Sequence, residues 1–79
     1  MPHAKRLANV VEEVLAQIGL SNVYRVDVYR AHRLDEWHAT LHSSSEGHPT
    51  LHLQFEIGET PNWHAVAADA KRQIQSPSI

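Results

Sequence analysis

Residues 50–57, TLHLQFEI, decide the fold of this 79-residue chain. Apolar and polar side chains alternate along the whole stretch. Such a two-residue period predicts a β-strand with one face in a core and the other in water. The apolar positions are Leu51, Leu53, Phe55 and Ile57, and the polar positions are Thr50, His52, Gln54 and Glu56.

Two earlier segments, residues 23–30 and 37–42, alternate in the same way. Their apolar positions are Tyr24, Val26 and Val28 in the first segment, and Trp37, Ala39 and Leu41 in the second. The polar connections 31–36 and 43–49 are short, and consecutive strands joined by short loops usually pair with each other. The three segments therefore predict an antiparallel meander.

The two ends of the chain have helical periodicity. Residues 3–18 and 61–75 each carry an apolar stripe at the spacing of an α-helix. Gly19 is expected to end the first helix in a left-handed conformation. Thr60 is the predicted N-cap of the second helix, with Pro61 at its first position.

The resulting element order is α-β-β-β-α. Each strand has one apolar face and each helix has one apolar stripe, so the simplest packing places both helices on the same face of the sheet. We therefore predict one α+β domain over residues 1–79, built as two layers around a three-stranded antiparallel meander, with a short tail at 76–79. The other face of the sheet remains open to solvent.

The composition excludes several classes of protein. The chain has no cysteine, which rules out disulfide-stapled domains, thiolate zinc sites and cysteine nucleophiles. Seven Lys and Arg against nine Asp and Glu give a formal charge of −2, without the basic excess of a typical nucleic-acid-binding domain. We expect the N-terminal stretch not to be a secretory signal, and no segment of the sequence to span a bilayer. We expect a cytoplasmic protein that does not bind membranes.

The chain resembles two families with this helix-on-sheet order. NWHAVAADAKRQI is similar to the alanine-rich last helix of the double-stranded-RNA-binding domain, and AHRLDEW has a histidine, His32, where that family often carries one. From Val11 onward, WHATLH, PTLHLQFE and the closing helix resemble the ribosome-hibernation factors. These resemblances imply contact with RNA or the ribosome. However, Asn62, Trp63 and His64 replace the lysines of RNA-binding members of the first family, and the chain lacks the leading strand and basic helices of the second.

The polar face of the sheet is the first candidate binding surface. It is predicted to carry aromatic, imidazole and amide side chains, which suit an adaptable contact with a protein. The predicted partner-binding residues are Arg25, Tyr29, His38, His42, His52 and Gln54.

Direct binding of structured RNA or of the ribosome is the second hypothesis. It would use Arg25, Arg30, His32 and Arg33, of which His32 and Arg33 follow from the family resemblance. Acidic side chains interleaved with these cations weaken the attraction to phosphate.

Histidine-based metal binding is the third hypothesis. His38, His42 and His52 are predicted on the polar face, with His52 opposite Thr40, and imidazole is a ligand for zinc, copper and nickel. His38 and His42 lie four residues apart on one strand, which is about 13 Å at roughly 3.3 Å per residue and too far for one ion. We therefore assign no metal ligand and expect no cofactor.

The preferred hypothesis is a small non-catalytic binding protein that docks on a larger protein or ribonucleoprotein as a regulator or inhibitor. No motif of a catalytic or phosphate-binding site is present, and so small a two-layer domain leaves little room for a sheltered cleft. A homodimer through the edge of strand 50–57 is a further prediction, because that strand has no lysine or interior proline to prevent pairing.

Overall fold

The structure of the protein is a computed structural model that describes residues 3–31, 35–43 and 46–75. Its elements are α1 (His3–Gln17), β1 (Tyr24–Arg30), β2 (Glu36–Ser43), β3 (Leu51–Glu56) and α2 (Trp63–Gln75). The predicted order is confirmed, and every boundary agrees with the prediction to within two residues. The predicted tail at 76–79 lies outside the described residues.

The three strands form one antiparallel sheet in the order β1-β2-β3, which confirms the meander. The central strand β2 is longer than predicted because its two ends still have partners. Tyr24 lies opposite Ser43, and Glu36 lies opposite Glu56. Ala39, in the middle of β2, is flanked by Val28 on one side and Leu53 on the other.

Both helices pack on the same side of the sheet. The apolar stripes of α1 and α2 and the inward side chains of the strands form one core cluster. The largest side chains that are completely buried are Leu7, Leu15, Leu41, Leu53 and Val11. The predicted two-layer packing is therefore confirmed. Within the described residues, neither helix combines the length and apolar character that crossing a membrane requires.

The first helix ends as the sequence predicts. Gly19 has a φ of 80°, in the left-handed region that glycine adopts without strain. Its N–H donates to the Ala16 carbonyl at 3.2 Å, and the Leu20 N–H donates to the Leu15 carbonyl at 2.8 Å. This pair of bonds is the Schellman motif, which satisfies carbonyls left without partners at the end of a helix.

The second helix begins later than predicted, and its N-cap is a different residue. The side-chain oxygen of Asn62 accepts hydrogen bonds from the N–H groups of His64 (3.1 Å) and Ala65 (3.3 Å). Asn62 is thus the N-cap, and the prediction of Thr60 as the cap with Pro61 inside the helix was wrong. Asparagine and threonine are both favourable N-cap residues, so residue preference alone did not decide between the two positions.

Candidate functional site

The side of the sheet that the helices leave uncovered carries every side chain predicted to bind a partner. Cross-strand pairs bring these residues together: Arg25 lies opposite His42, and His38 lies between Tyr29 and Gln54. We call this surface the open face. It is formed by Arg25, Asp27, Tyr29, Glu36, His38, Thr40, His42, His52, Gln54 and Glu56.

An aromatic stack on the open face joins the outer strand β1 to the central strand β2. The rings of Tyr29 and His38 are nearly parallel, at an interplanar angle of 10° and a centroid distance of 5.4 Å. Nε2 of His38 is 2.8 Å from Oε2 of Glu36, and this contact at a ring nitrogen holds the imidazole in place. The Tyr29 side chain is 46% exposed, and no other large hydrophobic side chain among the described residues is as open to solvent. The stack therefore offers a fixed aromatic surface to solvent.

A second pair stands beside the stack. His52 lies opposite Thr40, as predicted, and Thr40 Oγ1 is hydrogen-bonded to His52 Nδ1 at 3.3 Å. Thr40 is buried although it lies on the open face, because it occupies the central strand between Asp27 and His52. The middle of the face is thus closely packed and polar.

Charged groups lie around this middle. Arg25 stands at one end, where it borders a cavity of about 350 Å³ shared with His42. Glu36 and Glu56 lie directly opposite each other at the other end, and Asp27 lies on the outer strand β1. Tyr29, His38, Thr40, His52 and Gln54, none of which carries a carboxylate or a guanidinium group, fill the space between them.

Of the residues predicted to bind RNA, the two that the structure describes, Arg25 and Arg30, are not brought together. Arg25 and Arg30 lie five positions apart on β1, so their side chains are on opposite faces of the sheet. The Arg30 guanidinium lies over the ring of Trp37, 5.6 Å from its centroid, on the helix side. His32 and Arg33 lie outside the described residues.

The histidines of the open face do not form a metal site. Among residues 3–31, 35–43 and 46–75, no group of three or more histidine and carboxylate side chains is arranged to hold a metal ion. His38 and His52 are instead engaged by Glu36 and Thr40.

A side chain of α2 occupies part of the outer edge of β3. The Gln54 N–H donates to Oε1 of Gln73 at 3.0 Å, and Nε2 of Gln73 donates to the Gln54 carbonyl at 3.0 Å. Nε2 also donates to Oδ2 of Asp69 at 3.0 Å. We call this arrangement the Gln73 clamp. A homodimer through strand 50–57 would have to displace it at Gln54.

A group of cationic and aromatic side chains at the start of α1 was not predicted as a unit. The His3 ring makes edge contacts with Trp37 and Trp63, at centroid distances of 6.5 and 6.0 Å. The Arg6 guanidinium lies 5.7 Å from the centroid of the Trp63 ring. Within the described residues, neither Arg6 nor Arg30 takes part in an ion pair.

The sequence carried a signal for this group. A cation in the first turn of a helix opposes the helix dipole, and the contact of Arg6 with the Trp63 ring offsets that cost. Trp37 is buried, as predicted for a core residue, whereas Trp63 is only partly buried and lines a cavity of about 240 Å³ with His3, Arg6 and Pro61.

The resemblances to the double-stranded-RNA-binding domain and to the ribosome-hibernation factors stay predictions. No protein-family model matches the chain, and comparisons with curated proteins and with solved structures gave no significant match.

Proposed function

We propose that this chain is a small non-catalytic binding protein that docks through its open face on a larger protein or ribonucleoprotein, as a regulator or inhibitor. The observation that carries the proposal is the uncovered Tyr29–His38 stack on that face. Tyrosine is among the residues that contribute most to protein interfaces, because it buries a large apolar area and still offers a hydroxyl.

The distribution of charge supports the same function. Binding surfaces typically have a core depleted of charge and a polar, solvent-accessible rim. On the open face the carboxylates and the guanidinium group lie at the ends and on the β1 side, and Glu36 also reaches inward to bond His38. Rim charges of both signs would orient a partner more than they would strengthen its binding.

Contacts within the single chain also hold side chains of the open face in place. Its central side chains stand on β2, which is paired on both sides, and His38 and His52 are fixed by hydrogen bonds. A surface whose side chains are already ordered loses less conformational entropy on association. This favours binding without a change in the fold.

Direct RNA binding has less support. The chain has a formal charge of −2, and phosphate binding depends on an excess of cations. In addition, Arg25 and Arg30 lie on opposite faces of the sheet and do not form one cationic surface.

Affinity capture from a nuclease-treated extract of the native cell tests the proposal. The tagged chain should retain a protein partner, and Tyr29→Ala should weaken that binding by about thirtyfold, since loss of an interface anchor typically costs about 2 kcal/mol or more. Glu13→Ala, on the exposed side of α1, is the matched control and should bind like the original chain.

Two results would contradict the proposal. One is equal capture by Tyr29→Ala and Glu13→Ala, once circular dichroism has shown that both variants are folded. The other is loss of all binding after nuclease treatment, together with a salt-dependent gel shift of structured RNA, which would support the RNA hypothesis instead.

A further inference from the structure

The backbone of β1 alternates between groups that face β2 and groups that face solvent. The Ala31 N–H donates to the Glu36 carbonyl at 2.9 Å, one position beyond the pair of Arg30 and Trp37. In an antiparallel ladder every second residue faces the neighbouring strand. Arg25, Asp27 and Tyr29 therefore bond to β2. The backbone groups of the residues between them point outward, and these are Tyr24, Val26, Val28 and Arg30.

These outward groups form an open hydrogen-bonding edge, which we call the β1 edge. Among the described residues, no strand lies beyond β1 and no backbone bond reaches its outward groups. The opposite edge of the sheet differs, because the Gln73 clamp occupies Gln54 there. The sequence of β1, YRVDVYR, has neither lysine nor proline. An unprotected edge of this length is suited to pairing with another strand.

We propose that two copies of this chain pair antiparallel through their β1 edges, around a twofold axis at Val26. This register places Arg25 of one copy opposite the partner's Asp27, and Asp27 opposite the partner's Arg25. Both pairs fall at non-hydrogen-bonded positions, where side chains of adjacent strands come closest. The resulting salt bridges lie on the open face, and the chain is self-complementary in charge at this edge.

The same side chains exclude the neighbouring registers. A twofold axis at Asp27 would place the two Asp27 carboxylates directly opposite each other, and like charges in that position are destabilising. An axis at Val28 would place Asp27 opposite the partner's Tyr29 and would form no ion pair. The charges of β1 therefore select one register.

The helix side of β1 also favours this pairing. Val26 and Val28 are only partly buried against the core in the single chain. In the proposed register Val26 meets the partner's Val26, and Val28 meets the partner's Tyr24. Covering these side chains adds apolar contact on the helix side of the sheet, while the ion pairs form on the open face.

The dimer would join two sheets into a continuous one of six strands. Because the twofold axis is perpendicular to the sheet, the open faces of both copies lie on the same side. This pairing follows from the backbone groups, charges and apolar side chains of β1, and it does not depend on the function of the open face.

Sedimentation equilibrium of charge-reversal variants tests the proposal. Arg25→Asp and Asp27→Arg should each raise the dimer dissociation constant at least about tenfold, because both ion pairs become repulsive. An equimolar mixture of these two variants should dimerise again, since the carboxylates of one face the guanidinium groups of the other. Val26→Pro, which removes the outward N–H at the axis, should be monomeric and folded by circular dichroism.

Three results would overturn the proposal. The first is an original chain that stays monomeric at millimolar concentration. The second is a mixture of Arg25→Asp and Asp27→Arg that associates no better than either variant alone. The third is a dimer that survives Val26→Pro but is lost with Gln54→Pro, which would place the contact at the β3 edge.

Discussion

The Gln73 clamp gives a direct test of how α2 is attached to the sheet. Gln73→Ala removes both hydrogen bonds between this side chain and the backbone of Gln54. An intramolecular hydrogen bond contributes a net of about 0.5–1.5 kcal/mol to stability, so the loss should be roughly 1–3 kcal/mol. In a domain of this size each kcal/mol lowers the melting temperature by about 4–8 °C.

Urea denaturation followed by circular dichroism measures this change, and Gln75→Ala is the matched control. Gln75 lies in the same last turn of α2 and is exposed, so it gains the same helix propensity on substitution and loses no contact with the sheet. Gln73→Ala should unfold at a clearly lower urea concentration than Gln75→Ala with an unchanged slope.

A further variant separates the two halves of the clamp. Gln73→Glu keeps an acceptor for the Gln54 N–H, but it replaces the donor to the Gln54 carbonyl and to Asp69 by a negatively charged oxygen. We expect Gln73→Glu to be at least as destabilised as Gln73→Ala. Equal stability of Gln73→Ala and Gln75→Ala would refute the reasoning, because the clamp would then contribute nothing.

Three tests probe the fold elsewhere, all by urea denaturation. Leu53→Ala empties a site that is 1% exposed and should cost about 2–5 kcal/mol, and a cost below about 1 kcal/mol would contradict burial there. Asn62→Ala should cost about 1 kcal/mol and Thr60→Ala only a few tenths, and the reverse order would restore Thr60 as the cap. Gly19→Ala forces a side chain to a φ of 80° and should cost about 1 kcal/mol more than Gly58→Ala, and equal costs would contradict the Schellman ending.

Most of the fold could be predicted from periodicity because each element has one apolar side. The alternation in 50–57 separates Leu53 and Phe55 from His52 and Gln54, and the structure buries the first pair and exposes the second. The N-cap of α2 could not be predicted in this way. Thr60 and Asn62 are both good caps, and the choice depends on where the chain turns away from the sheet after Ile57, whose N–H is bonded to the Asp35 carbonyl at 2.7 Å.

The residues of the candidate site could be predicted from the sequence, but the contacts between them could not. The two-residue period alone assigns Arg25 and Tyr29 to the open face, and it also assigns Arg30 to the other side, so the RNA set could already have been divided from the sequence. The stacking of Tyr29 on His38 depends on the cross-strand register and on side-chain rotamers. The Gln73 clamp depends on how α2 lies across β3, which no local pattern specifies.

In-cell photo-crosslinking measures most directly whether the open face is the binding surface. A photoreactive phenylalanine analogue would replace Tyr29 on the open face in one variant, and Glu13 on the outer side of α1 in another. The account predicts a discrete protein adduct from position 29 and none from position 13. An adduct from position 13 alone, or a nuclease-sensitive adduct from position 29, would contradict it.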